Sequence, residues 1–468
     1  MADSSEESNR KGGHVGPDTQ DPTLQPLDAL SDVSESSSEV QEAKRVEVVT
    51  KGWCSSSSGY HSGIGTSEVS HGELVAYDVS LTCEEISDEN DDSDWDEEEW
   101  PVDRPLPLPE WGCERPELNF GNLSQYESFI IHIQEHLHKA LATQCYDTVS
   151  NFVVFGEEYV SQREEYPCLD EFYRDYDPPM LPGRYTCVGL ACDLATKLST
   201  LEAQYPGLKD ATYQVSCEEE IDNVDWYCST GVPPISTCEK EHVLVCIRIR
   251  ISDRPGMLLL DPGYHVGEPI TVMEDGLYPQ SGIIRANTTK SNIIRTYQYH
   301  YIQDNPAFVV WEVLEERDGE VIHEHTSLIH TARPFLSGID VAERRNLAYP
   351  FKTLLGREHT GKLKCGLYFP LRECSQTNIT FFHYLDGLPH HTRVPLLYFA
   401  KSKDNADEEG MISPTVEAIL ATVANGSYRS IDDLRATLES LASLLQDQDF
   451  LEQLAQLDKA IDSISKDN

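Results

Sequence analysis

Apolar residues recur along this chain with two periods. Val243, Val245, Ile247, Ile249 and Ile251 alternate with other residues, which predicts a strand with one face turned to a core. Arg254-Pro-Gly256 predicts a turn and Met257 to Leu260 a return strand, so the two make an antiparallel hairpin. Helical spacing appears earlier, in Ile130, Ile133, Leu137 and Leu141, with Ser124 and Glu127 reading as a capping box ahead of them. A second helix is expected over 147–165 and a third over 188–200, where Leu190, Leu194 and Leu198 share a face. Beyond the hairpin the pattern is mostly strand-like. Tyr297 to Ile302 and Phe308 to Leu314 read as strands, Asp318-Gly319 as a hairpin turn before Val321 to Glu324, and Val394 to Ala400 as a further strand. Apolar runs between Phe335 and Tyr384 include Phe381-Phe-His-Tyr384. From Ser413 the period returns to helical: Ser413-Pro414 opens one helix, and Ser430 with Asp433 caps a second carrying Leu434, Leu438, Leu441 and Leu445. Leu451, Leu454, Leu457, Ile461 and Ile464 mark a last one. These stripes suit core packing, with a partner-binding helix pair as the alternative.

Residues 1–115 show no such period. They are rich in Ser, Asp, Glu, Gly and Pro and read as a long disordered acidic tail. The segment over 217–240 reads as an exposed insertion. The division expected is therefore a tail over 1–115, a helical part with its hairpin over 116–272, a β-rich part over 273–405 and helices over 406–468.

Charge changes the list of partners. With 36 basic and 81 acidic residues the formal net charge is −45, which argues against nucleic acid and anionic membrane surfaces. No stretch has the length of apolar residues a membrane span needs, and Met-Ala-Asp-Ser-Ser-Glu-Glu has no secretory character. The 13 cysteines lack the density of a disulfide scaffold and read as reduced, in a cytoplasmic or nuclear protein. The acidic tail is a candidate docking segment for a protein partner. Ser58-Gly-Tyr-His-Ser62 is similar to Ser-Gly-x-x-Ser phosphodegrons, and Ser93 before Asp94 and Asp96 to an acid-directed kinase site.

Three chemistry-bearing residues stand at the edges of predicted elements. Cys187 opens the 188–200 helix, where exposed backbone N–H groups and the helix dipole favour thiolate. Cys192 lies more than a turn inside. His242 begins the long strand, and Asp261 follows its antiparallel partner, so pairing brings imidazole and carboxylate side by side. A thiol, a base and an orienting acid are what a cysteine nucleophile requires. The plainer readings are a cysteine buried as a small hydrophobe and a surface His–Asp pair. No metal site is expected: His132 and His136 lack the His-Glu-x-x-His pattern, and Cys217, Cys228, Cys238 and His242 lack a close Cys-x-x-Cys. His383, His390 and His391 read as surface residues.

The stretch from Pro182-Gly183-Arg-Tyr-Thr-Cys187 through Glu241-His242-Val-Leu-Val to Leu260-Asp261-Pro-Gly263-Tyr264 and Pro269-Ile-Thr-Val resembles the catalytic region of the arylamine N-acetyltransferase family. Differences include Ala191 and His265, where that family has a polar residue and a glycine. The resemblance implies a papain-like α+β fold with an N-terminal helical part, a β-barrel-like middle and C-terminal helices. It implies Cys187 as nucleophile, His242 as base and acid, and Asp261 as orienter. The matching activity is acyl transfer from acetyl-coenzyme A, as a co-substrate and not a resident cofactor, to a small-molecule amine. Two alternatives stay open: a papain-like thiol hydrolase, and a member of the fold that lost the chemistry and acts as a binding or regulatory protein.

Overall fold

A computed structural model describes residues 100–235, 242–264, 266–287, 293–303, 305–385, 388–400 and 414–464. The degron-like and Ser93 motifs, Cys238 and His265 lie outside the described residues. No helix among those described is long and apolar enough to cross a membrane.

The sixteen residues 100–115, expected to belong to the tail, are packed onto the body. Leu106 is fully buried, and the Arg174 guanidinium stacks over Trp100 at 4.4 Å while donating to the Trp100, Pro101 and Arg104 carbonyls. Two tryptophans and two leucines, set among prolines and charged residues, are enough to tie it down.

Next come β1 (Leu118–Phe120), α1 (Leu123–Thr143), β2 (Cys145–Asp147), α2 (Val149–Ser161), α3 (Leu169–Asp175) and α4 (Cys187–Ser199). The cap of α1 is Asn122, whose side chain accepts from the Gln125 amide at 3.1 Å, while the Gln125 side chain takes the Gly121 N–H at 2.8 Å. This reciprocal pair displaces the box expected at Ser124, because Asn caps as well as Ser and the apolar face already begins at Tyr126.

A short α5 (Leu208–Ala211) leads into β3 (Thr212–Glu218), α6 (Val224–Tyr227), β4 (His242–Ile251), β5 (Arg254–Leu260), β6 (Ile270–Met273), β7 (Ile284–Asn287), β8 (Ile293–Ile302), β9 (Asn305–Arg317) and β10 (Glu320–His330). These strands form one sheet in the order β6-β5-β4-β3-β10-β9-β8-β7, with β1 parallel to β4. The sheet runs through residue 272, where the sequence reading divided the chain, and curls so that β6 approaches β8. The 217–240 stretch is no exposed insertion in its described part. Cys217 and Glu218 complete β3, and Ile221, Tyr227 and Cys228 are buried with Phe308, Val310 and Leu328. Its acidic residues hide an apolar set too sparse to show a period.

The β4–β5 hairpin turns at Ser252-Asp253, two residues before the expected Arg254-Pro-Gly, with Ser252 at φ +57°. Asp318 and Gly319 turn the β9–β10 hairpin at φ +53° and +86°, as the Asp-Gly pair predicts.

A wide π turn (Gly338–Glu343) and α7 (Arg344–Ala348) separate this sheet from a second one, made of β11 (Phe351–Arg357), β12 (Leu363–Pro370), β13 (Asn378–Leu385) and β14 (Leu388–Pro395), with β2 on its far edge. The strand expected over 394–400 stops at Pro395. Leu396 and Phe399 then bury at three-residue spacing in a 3-10 turn. Helices α8 (Pro414–Gly426), α9 (Ile431–Leu444) and α10 (Gln448–Ile461) close the chain. Leu434, Leu438, Leu441, Leu445, Leu454, Leu457 and Ile461 all lie in the main core.

That core fills the space between the helices and both sheets. The odd face of β4 (Val243 to Ile251) belongs to it together with Leu190, Leu194 and Leu198 of α4. Fully burying each aliphatic side chain of this kind contributes about 1.5–3 kcal/mol. The even face of β4 (Leu244, Cys246) looks the other way, into the concave side of the curled sheet, with Met257, Leu259, Tyr297, Tyr299 and Trp311.

Candidate active site: a buried thiol, imidazole and carboxylate

His242 is the first residue of β4 and shares the even, concave face with Leu244 and Cys246. Leu259, two residues before Asp261, is on the same face of β5. In the hairpin register Val245 pairs with Leu260, so the continuing ladder sets Asp261 beside the start of β4. Parity and register together therefore put imidazole and carboxylate on one side of one sheet end. His242 Nε2 donates to Asp261 Oδ2 at 2.7 Å. The second carboxylate oxygen accepts from the Gly263 amide at 2.9 Å, which fixes the rotamer.

Cys187 comes from the other layer, as the first residue of α4. The cap residue, Thr186, does not use its side chain on the helix. Its hydroxyl instead donates at 2.9 Å to Glu343, which also accepts from Asn151. The positive end of the helix is thus left to whatever stands at Cys187.

The turn after Asp261 packs directly on the thiol. A Cβ placed on Gly263 would lie 2.7 Å from Cys187 Cβ and 3.4 Å from its Cα, so only glycine lets the turn approach this closely. Arg357, at the end of β11, donates to the Gly263 carbonyl and holds the turn from outside. Tyr264 and Trp311 pack edge-on at 4.8 Å, with the His242 ring about equally far from each, at 6.1 and 6.2 Å. Cys187 and His242 are wholly inaccessible and Asp261 is 4% exposed.

The electrostatics follow from that burial. Loss of water alone would push the His242 pKa down, but the negative charge of Asp261 and of the Cys187 sulfur, with hydrogen bonding to both, outweighs it, and the imidazole is held well above its ordinary 6.5. Nδ1 makes no hydrogen bond of ordinary geometry and is the nitrogen that remains for the sulfur. Burial pushes Cys192 up to about 11 and Cys246 up to about 12, although Cys192 accepts from Gln214 and Cys246 lies against Met257. They are protonated side chains of the core.

Two further carboxyls belong to this neighbourhood, and neither was expected from sequence. Burial raises Glu219 to about 8, although the nearby charge of His242 opposes the shift; Glu220, Cys187 and Asp261 add to it. Burial likewise raises Glu343 to about 8, against its bonds from Thr186 and Asn151 and with the charge of Cys187 adding to the rise. Glu219 sits in a run of three glutamates that looks solvated. Yet Val215 and Cys217 alternate onto the concave face, and Cys217 pairs with His242. Carrying that alternation two residues further marks Glu219 as the inward member. Glu343 and Arg357 left no signal, because the elements that carry them are distant along the chain. Of the other histidines weighed for metal, His132 Nδ1 bonds the Tyr205 hydroxyl at 2.6 Å and His136 Nδ1 bonds the His132 carbonyl at 2.9 Å. Cys217 and His242 adjoin in the ladder, whereas Cys228 is in a separate cluster with Phe308.

The molecule is thus an α+β protein in which two layers meet at a buried thiol, imidazole and carboxylate. Compared with solved structures, the chain is similar to the arylamine N-acetyltransferase of Mycobacterium abscessus, at 10% identity and a TM-score of 0.34 over 68% of this chain and 89% of that one. It is similar also to that of Nocardia farcinica, at 12% identity and a TM-score of 0.35 over 69% and 89%. Overlap at this level does not establish a shared fold. No family model matches the chain, and no curated protein matches it.

Proposed function

We propose that the chain is a thiol acyltransferase that works through an acyl-cysteine. The observation that carries the proposal is the buried 2.7 Å bond from His242 Nε2 to Asp261, made by a ring whose charged form is favoured by Asp261 and by the Cys187 sulfur. A thiolate–imidazolium pair at a helix N-terminus is a nucleophile ready at neutral pH. The thiolate attacks the carbonyl carbon of an acyl thioester, with acetyl-coenzyme A the donor the motif resemblance suggests. The oxyanion that forms is stabilised by backbone N–H groups at the start of α4. As the tetrahedral adduct collapses, the donor's C–S bond breaks and its sulfur leaves with the His242 proton. An amine then attacks the acyl-cysteine, His242 takes the amine proton and returns it to the Cys187 sulfur, and the amide departs. Asp261 holds the ring in one orientation throughout and stabilises its charge.

Transfer is favoured over hydrolysis by the full burial of Cys187, which keeps bulk water from the acyl-enzyme. The same burial supports a second reading, a binding protein that retains the constellation as part of its core. Intact-mass measurement after incubation with acetyl-coenzyme A decides between them. A single acetyl adduct, mapped to Cys187 and lost in Cys187→Ala, is the expected result. An adduct that persists in Cys187→Ala, or a Cys187 that reacts with iodoacetamide no faster than a free peptide cysteine, overturns the enzyme reading.

A further inference from the structure

On the rim of the concave face, Glu220, His323 and His325 bring three donor atoms within 4.8 Å of one another. We propose that these residues form a binding site for a divalent transition-metal ion of the zinc class.

The site is built by the fold. His323 and His325 are two apart on β10, so both side chains leave the same face of the strand. Their rings already meet, His325 Nδ1 lying 3.1 Å from His323 Nε2 with centroids 5.1 Å apart. Two ligands of a tetrahedral ion with metal–nitrogen bonds of about 2.0–2.1 Å stand roughly 3.3 Å apart, so this pair is near the spacing an ion needs. The third donor arrives from a different element. β3 pairs with β10 through Leu328 and Glu218, and the Ile221 amide donates to the Thr326 carbonyl at 2.8 Å. The loop leaving β3 is thereby tied to β10 beside the histidines. Within it Glu220 adopts φ +57°, a left-handed conformation that non-glycine residues rarely take. That backbone turns the Glu220 carboxylate to the histidines while Glu219, its neighbour, turns inward toward His242.

All three donors are half-buried, which leaves a path for an ion without a large rearrangement. With all three donor atoms within 4.8 Å of one another, reaching ligand spacing takes at most about 1.5 Å of side-chain movement. The nearby carboxylate Glu315, which pairs with His323 across the ladder, is already engaged by Arg295 at 2.5 Å. Three protein donors of the His-His-Glu kind leave one position of a tetrahedral ion open to water or a small anion. The strongly acidic chain raises the local concentration of cations around such a rim. None of this depends on the acyl-transfer reading.

The test uses the full chain, stripped with chelator and kept reduced, titrated with Zn²⁺ by calorimetry and with Co²⁺ by absorption. Cobalt separates this site from the 13 cysteines, because thiolate ligation adds an intense near-ultraviolet charge-transfer band that nitrogen and oxygen ligands lack. We expect one equivalent bound, with visible Co²⁺ bands and no thiolate band. His323→Ala and His325→Ala should each weaken binding by about 100-fold, and Glu220→Gln by about 10-fold. Because the two histidines are half-buried and independent substitutions, unfolding in one variant leaves the other to report, with near-ultraviolet circular dichroism as the check. Unchanged stoichiometry and affinity in the folded histidine variants, no binding by the parent chain, or a thiolate-type Co²⁺ spectrum indifferent to them would show an unliganded histidine pair and overturn the proposal.

Discussion

Two buried polar groups meet at the start of α4, and they are organised differently. One contains Glu343, Asn151, Thr186 and Lys352. There Glu343 has both oxygens bonded, Lys352, pushed down to about 7 by burial, donates to the Asn346 and Leu347 carbonyls at 2.5 and 3.2 Å, and Asn151 Oδ1 has no hydrogen-bond partner. The other contains Cys187, His242, Asp261 and Glu219. There Asp261 is fully bonded and the imidazole also bonds the Cys187 sulfur, while Glu219 Oε1 has no hydrogen-bond partner. Buried polar atoms are nearly always satisfied, and an exception calls for an explanation. The first group reads as a support that positions Thr186 and hence the helix end. The unpartnered atom of the first group is an amide oxygen, whereas that of the second is a carboxyl oxygen beside an imidazole and a thiol, groups that exchange protons.

Breaking the second group should have the largest effect. Cys187→Ala is expected to abolish acetyl adduct formation altogether while changing the midpoint of thermal unfolding little, as read by intact mass and calorimetry. Asp261→Asn leaves the geometry in place but withdraws the charge that holds the imidazolium. Its single-turnover acylation rate should fall by about 10³- to 10⁴-fold. Gly263→Ala sharpens the comparison from a different side, because its Cβ meets Cys187 Cβ at 2.7 Å. A stability loss of about 1–3 kcal/mol by urea denaturation, together with slowed Cys187 alkylation, is the expected outcome. A variant that alkylates at the parent rate would mean that the turn does not govern access to the thiol.

The first group should answer to pH and not to acyl donors. The Glu343 carboxyl is raised from 4.5 to about 8, so the folded chain keeps a proton that the unfolded chain gives up. Its contribution to stability is full below pH 4.5 and is lost as pH rises toward 8. In Glu343→Gln that loss disappears, so between pH 5 and pH 8 the variant should gain on the parent by on the order of 2 kcal/mol in chemical denaturation. A gap that does not move with pH would show Glu343 ionised in the fold. The smallest effect is expected at Cys246→Ala, about 1 kcal/mol of stability with no change in acylation, since that thiol is only core.

Much of this was legible in the sequence because local patterns carry it. The alternation over Val243 to Ile251, the helical stripe through Leu190, Leu194 and Leu198, the cap at Ser430 and the helix start at Pro414 each depend on neighbours within a few residues, and the elements formed where those patterns lie, while the expected cap Ser413 is outside the described residues. The positions of Cys187, His242 and Asp261 at element edges are visible for the same reason. What the sequence left open is whether layers distant along the chain converge. Residues 100–115 resemble tail in sequence because their tryptophans and leucines have no period, although the folded body offers them Arg174 and a core. Glu343 and Arg357 gain their roles only when the segments after the large sheet close over α4 and the Asp261 turn.

By itself the sequence determined the strongly patterned strands and helices and the three groups standing at their ends, because alternation, capping and turn chemistry are short-range. Only the tertiary structure decided that Gly263 packs on the thiol, that Glu219 turns inward while Glu220 turns toward His323 and His325, and that the thiol is sealed from water. Those outcomes depend on strand register and on the packing of one layer against another. No window of neighbouring residues contains either.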